Sequence, residues 1–187
     1  MTPERGGNGR QRTTVLVLAS AAILALIAAL WLVLSVTQRK NVALGRTTVA
    51  QSSLLYGNNN YEAFKAVDGR KDTFSSTDYD KNTNPNAWWQ VDLGREYSIA
   101  EIKIWNRVDC CADRLINYYV LVLDANKATV LRVPVSGVSG VPPTPVPLTT
   151  LPIGKRGRYV RVELSNYLSL PEVEVLADVT DWELLYR

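Results

Sequence analysis

Histidine is absent from this 187-residue chain, and only two cysteines are present. Without imidazole, Ser-His-Asp and Cys-His nucleophilic machinery is excluded, and so is imidazole-ligated zinc. The two cysteines, Cys110 and Cys111, are adjacent. One adjacent pair is no disulfide framework, and it falls two ligands short of a structural zinc site. Carboxylate pairs survive these exclusions. No two acidic residues stand in a recognisable acid–nucleophile context, however, so a glycosidase is disfavoured and the chain is read as a non-enzyme.

What is present is enough to bury a core: 47% of residues are apolar and 21% charged. The charge is unevenly placed. Residues 1–40 carry five Lys/Arg against one Glu, whereas residues 41–187 carry sixteen against seventeen acids. The folded part is therefore nearly neutral. A nucleic-acid partner is not expected, because such binders concentrate positive charge on the folded domain.

From Thr14 to Val36 runs an uncharged stretch of 23 residues rich in alanine and leucine, with Trp31 near one end. As a helix it would extend roughly 35 Å, enough for a bilayer core of about 30 Å. It exceeds the ~7–15 apolar residues of a cleaved signal, and its exit lacks a small-residue cleavage pattern. The expectation is a short basic tail (1–13), a transmembrane helix (14–36) and a basic stretch (37–40). A domain (41–177) on the extracytoplasmic side and a short tail (178–187) follow. Lys and Arg flank the run almost evenly, so orientation rests partly on the nature of that domain.

Beyond residue 40, polar turn clusters alternate with short β-patterned segments and no amphipathic helix is apparent. Strands are expected over 87–93, 99–105, 118–124, 129–135, 159–164 and 173–176. Segments of this length and spacing predict an all-β, antiparallel sandwich or barrel. Pro134–Pro152 holds six of the nine prolines and reads as an extended loop or sheet-edge excursion.

The most informative segment is Asn106–Arg114, NRVDCCADR, directly after an alternating strand. Arg107 and Arg114 can donate paired hydrogen bonds to adjacent sugar hydroxyls, and Asp109 can orient them and accept from a hydroxyl. The plainer reading is a solvated loop with surface ion pairs. Bridging Cys110 to Cys111 closes an eight-membered ring with Cα atoms ~3.8 Å apart, below the usual disulfide range. Such a ring is rigid and presents apolar sulfur to a sugar face. Two reduced thiols in a tight turn are the alternative if the domain faces the cytosol.

Arg-x-Asp-Cys-Cys-x-x-Arg after a strand, with Trp88-Trp89-Gln90-Val91-Asp92-Leu93 upstream, resembles the F-type lectins, or fucolectins. These belong to the discoidin, or coagulation-factor type C, class of β-sandwich jelly rolls. Further fragments occur in the family's order. They are Asn41-Val42-Ala43 through Ser53, Ala66-Val67-Asp68-Gly69, Arg158-Tyr159-Val160 and Glu172-Val173-Glu174-Val175.

The resemblance implies recognition of L-fucose or a related terminal sugar by Arg107, Asp109, Arg114 and the Cys110–Cys111 ring. It also implies one structural Ca2+, held by the side chains of Asp68, Thr73 and Glu172 and the backbone carbonyls of Lys65 and Arg70, a sound oxygen-donor set. The family's fucose-binding histidine has no counterpart. By local motif its place falls on Ser76, and by spacing back from Arg107 it falls near Asp80. Phe74 and Pro171 stand where two family cysteines are expected, and Asn86-Ala87 is inserted before Trp88.

Trp88 and Trp89 invite sugar stacking, but their alternation favours core packing for one of them. Leu54, Leu55 and Tyr56 are candidates for an apolar wall at one end of the sandwich. The main reading is thus a membrane-displayed lectin for fucosylated glycans, whose clustering or self-association would raise avidity. The rival is a discoidin-type adhesion domain for a protein or lipid headgroup, its sugar site decayed.

Overall fold

A computed structural model of the chain describes residues 23–27, 37–50, 52, 54–56, 59–78, 85–136 and 148–180. The β-rich unit is Arg39–Val179; Met1–Gln38 and Thr180–Arg187 form the other. Eleven strands are described: β1 (Thr37–Asn41), β2 (Thr48–Ala50), β3 (Leu55–Tyr56), β4 (Asn59–Asn60), β5 (Ser75–Ser76), β6 (Ala87–Trp105), β7 (Tyr118–Leu123), β8 (Thr129–Val135), β9 (Leu148–Leu164), β10 (Ser169–Leu170) and β11 (Glu172–Thr180).

The main sheet runs β1-β11-β6-β9-β7-β8, with β2 also on β6, while β5 pairs with β10 and β3 with β4. The pairings are antiparallel. Two long strands make this sheet a sandwich. The first part of β6, 87–92, pairs with 159–164 of β9 and with β2, whereas 97–105 pairs with 148–157 and with β11. Each long strand therefore serves both layers. Alternation drives the packing: Trp89, Val91 and Leu93, then Ile102 and Ile104, are wholly buried. Each such side chain contributes roughly 1.5–3 kcal/mol over its exposed state. Gly157 lets β9 pass close to β7, since a Cβ there would collide with Val122 Cγ1.

Three expectations need correction or narrowing. The strands foreseen over 87–93 and 99–105 are one, because β6 bends through Gly94–Glu96 and resumes pairing at Tyr97. The proline-rich stretch is not all loop, since at its described ends the sheet alternative holds. Pro134 lies in β8, and Thr149–Pro152 pair with Ile104–Glu101. Proline is tolerated at such positions where it has no ladder donor to supply; residues 137–147 lie outside the described residues.

The third correction concerns membrane localisation. Among the described residues no helix is long and apolar enough to cross a membrane. Within the foreseen span only residues 23–27 are described, as helix, and the remainder lies outside the described residues. The placement of this chain as a single-pass membrane protein is accordingly withdrawn.

Candidate functional site

Residues 106–117 connect β6 to β7, and local bonds give this loop its shape. Asn106 Oδ1 accepts the Arg107 N–H at 2.8 Å, and its amide donates to the Ala112 carbonyl at 2.9 Å. Cys111 adopts a left-handed backbone, φ 58°, and leads into a 3-10 turn over Ala112–Arg114 that ends on buried Leu115. Cys110 and Cys111 are joined in a disulfide, with Cα atoms 3.8 Å apart. The oxidised alternative foreseen from the sequence is the one the structure shows.

The two arginines of the motif are seated on aromatic rings. Arg107 lies with its guanidinium carbon 4.0 Å from the Phe74 ring centroid, and Phe74 stacks in turn on Tyr61 at 4.7 Å. Arg114 lies 5.1 Å from the centroid of Tyr167. Phe74 and Tyr167 belong to two segments stitched together by β5 and β10. Ser76 is opposite Ser169, and the Thr77 N–H donates to the Leu168 carbonyl at 3.0 Å. One loop thus places a guanidinium on each segment of a single small ribbon.

Arg107 is also gripped from the side. Its Nε donates to Asp109 Oδ1 at 2.9 Å, and one terminal nitrogen reaches Asp109 Oδ2 and, at 3.0 Å, Cys110 Sγ. The hydrogen bond from Arg107 holds the Asp109 carboxyl down to about 2, well below the usual range, although its side chain is 61% exposed. This is a preorganised fork: carboxylate along one edge, ring beneath, sulfur alongside.

Ser76 is placed differently. It is 3% exposed, and its hydroxyl shares a 2.8 Å hydrogen bond with Ser169. The position matched to the family's histidine by local motif is therefore a buried hydroxyl pair that ties β5 to β10. Asp80 lies outside the described residues. Leu54 donates its N–H to the Ser76 carbonyl at 2.8 Å; the side chains of Leu55 and Tyr56 are likewise outside the described set.

Of the residues matched to a calcium site, Asp68, Arg70 and Thr73 are bonded to one another, and the turn they form meets Glu172 at the start of β11. Asp68 Oδ2 accepts from the Thr73 hydroxyl at 3.0 Å, and its other oxygen accepts the Arg70 N–H at 2.8 Å. Glu172 is 1% exposed. Its Oε2 accepts the Gly69 N–H at 3.2 Å, whereas Oε1 is buried with no hydrogen-bond partner. Gly69 makes this approach possible with φ 80°, and a Cβ there would press on Leu44. Burial, reinforced by the Asp68 and Glu174 charges, pushes the Glu172 carboxyl up to about 7.

Two cations nearby in sequence are engaged elsewhere, while Lys71 offsets part of the negative charge at Glu172. Arg70 forks onto Asp72, and the Lys65 ammonium donates to the Asn60 carbonyl. Among the described residues no group of three or more His, Cys, Asp or Glu lies together. Oxygen donors here are two carboxylates, a hydroxyl and carbonyls, a set that fits a hard cation and not zinc. An orphaned buried carboxylate oxygen beside a second carboxylate is what such an ion satisfies.

Sequence reasoning missed the platforms. Phe74 was legible only as a missing cysteine, and Tyr167 carried no local signal, since its role depends on Arg114, far away in the chain.

Comparison with known proteins places the family. A family model described as NedA-like, galactose-binding domain, of the F5/F8 type C class, matches residues 65–162. Fucolectin-5 of Anguilla japonica is 35% identical over 147 residues, covering 74% of this chain and 77% of its own. The lectin domain of lectinolysin, in complex with Lewis B antigen, aligns with TM-score 0.63 at 33% identity, covering 75% of this chain and 98% of its own. A Streptococcus pneumoniae fucose binding module aligns with TM-score 0.62 at 30% identity, covering 74% and 96%. On these grounds the chain belongs to the F-type lectins, the fucolectin family, within the F5/F8 type C, galactose-binding-like class of β-sandwich domains.

Proposed function

We propose that this chain is a lectin that binds glycans ending in L-fucose or a related sugar, and that it does so without turning them over. The observation that carries the reading is the Arg107 fork, fixed by Asp109, Phe74 and the Cys110–Cys111 disulfide. A guanidinium held this way loses little side-chain entropy on binding, and its remaining N–H groups can donate to neighbouring hydroxyls. Arg114, braced by Tyr167, supplies a second set of donors. The disulfide offers an apolar surface to the C–H face of the ring.

The buried Ser76–Ser169 pair supports a retuned rather than strict fucose preference, because no imidazole is supplied at that place. One lost polar contact to a sugar hydroxyl costs ~1–3 kcal/mol, or roughly ten- to a hundredfold in affinity.

The same reading includes one Ca2+ held by Asp68, Thr73 and Glu172 through side chains and by Lys65 and Arg70 through carbonyls. Bound there, the ion supplies positive charge to two carboxylates and structural cross-linking. This chain's residues do the rest: they tie the Asp68 turn to the head of β11, close to the strand that leads into the sugar loop.

Titration of L-fucose into the purified chain, with calcium and with a chelator, tests the proposal beside an Arg107→Ala control. Saturable binding that the substitution removes is the expected result. Absence of binding to folded, calcium-loaded protein overturns it, and a glycan and lipid array then tests the adhesion alternative. Aryl glycosides are expected to survive incubation unhydrolysed.

A further inference from the structure

The two tryptophans of β6 part company. Trp89 is buried in the core, its indole N–H donating to the Ala63 carbonyl at 2.9 Å, while Trp88 faces out. Register sets Trp88 on β6 opposite Glu163 on β9, and Glu163 opposite Tyr119 on β7. All three line an open cavity of about 390 Å³, together with Asn86, Asn117 and Arg132. That volume lies within the usual ~300–1,000 Å³ of ligand pockets.

Two rings flank a carboxylate across three adjacent strands. With strands ~4.8 Å apart, the rings are spaced about 10 Å, which leaves room for one sugar ring above Glu163. A guanidinium steadies each ring: Arg161 lies 4.2 Å from the Trp88 centroid and Arg132 lies 3.4 Å from that of Tyr119. Arg161 approaches Glu163 at 3.6 Å, yet its Nε is buried without a partner.

From this arrangement we infer that the outer sheet face carries a second sugar subsite, taking an uncharged hexose or N-acetylhexosamine unit. Aromatic rings suit the C–H face of a pyranose. A carboxylate that only accepts, amides that do both, and a guanidinium that only donates suit hydroxyls on its edge. Glu163 is answered by Arg161 and the Arg132 guanidinium lies on the Tyr119 ring, so the groups left to a ligand are rings, amides and hydroxyl partners that suit a neutral sugar.

Position connects this cavity to the loop described above, so the inference rests on the lectin reading. Ser165, on its rim, is two residues before Tyr167, and Asn117 is three residues after Arg114. At ~3.5 Å per residue, neither rim residue lies more than about 11 Å from the arginine seat. A glycan whose terminal fucose sits at Arg107 and Arg114 would lay a further unit on Trp88 and Tyr119.

Titration of L-fucose and of the Lewis b glycan into the full chain and into Tyr119→Ala, Tyr119→Phe and Glu163→Gln tests this. Tyr119→Ala is expected to weaken Lewis b binding about tenfold, the scale of one stacking contact, and to leave L-fucose unchanged. Glu163→Gln should weaken Lewis b severalfold, and Tyr119→Phe should retain it. Lewis b binding unaltered by Tyr119→Ala and Glu163→Gln overturns the subsite. So does equal loss of fucose and Lewis b in a variant with an unchanged melting temperature. If the parent chain binds no fucose, the lectin reading itself fails. The cavity then stands or falls on whether N-acetyllactosamine shifts the NMR signals of Trp88 and Tyr119.

Discussion

Asp109 and Glu172 are carboxylates in the same domain, and their surroundings treat them in opposite ways. Asp109 is largely exposed and carries its counter-ion with it: the Arg107 fork holds it down to about 2. Glu172 is buried near Asp68 and Glu174, with Lys71 offsetting them only in part from its place on the Trp105 ring, and is pushed up to about 7. The first site is electrostatically complete and offers spare donors outward, which suits a polar ligand such as a sugar. The second is incomplete and calls for positive charge, which suits a metal ion. One carboxylate thus has its charge answered at the surface, and the other has it largely unanswered in the interior.

The contrast breaks most sharply at Arg107. Arg107→Ala removes charge-assisted donors and frees Asp109, so fucose affinity should fall about a hundredfold or more in calorimetric titration. Thermal stability should fall by only about 1–2 kcal/mol, because Asp109 is largely exposed while Arg107, 13% exposed, gives up its seat on Phe74. A large drop in melting temperature with binding retained would invert the assignment of the two regions.

Calcium should produce the next largest effect. At a hundred times its dissociation constant it would stabilise the domain by about 2.7 kcal/mol, seen as a rise in melting temperature of a few degrees on leaving chelator. Glu172→Gln should abolish that response, and in chelator it should raise the melting temperature by removing a buried charge.

A pH series sharpens the same point. In chelator, the folded form keeps Glu172 protonated above its ordinary value of 4.5 while the unfolded chain releases the proton. Stability should therefore fall as pH rises, by about 2 kcal/mol between roughly pH 5 and 7, and level off above. With saturating calcium the slope should reverse, since the ion binds the carboxylate form. For Asp109 the sign is opposite. Its pairing is complete above its ordinary value and is lost as pH falls towards about 2, so fucose binding should weaken only in strong acid.

The smallest expected effect is at Ser76. Ser76→Ala leaves Ser169 without its partner and should cost about 1 kcal/mol in denaturant unfolding, with fucose affinity unchanged within twofold. A clear loss of affinity would show that this hydroxyl serves the sugar after all.

What the sequence by itself determined here is local. Alternation marked the strands through Val160 and Val162 and showed that one of Trp88 and Trp89 is buried without saying which, because side chains alternate in a pleated strand whatever its partner. Adjacency of Cys110 and Cys111 limited them to a ring or two thiols, and the order of short motifs carried the family. Tertiary structure decided everything that depends on register and long closure. Glu172 meets the Gly69 turn across 103 residues, and Ser76 meets Ser169 across 93. Phe74 and Tyr167 become seats for arginines only once β5 and β10 are paired. Trp88, Glu163 and Tyr119 form one row only because β6, β9 and β7 lie side by side in that register. Spacing along a chain states which face a residue can take; which residues share that face is set by how the strands are brought together.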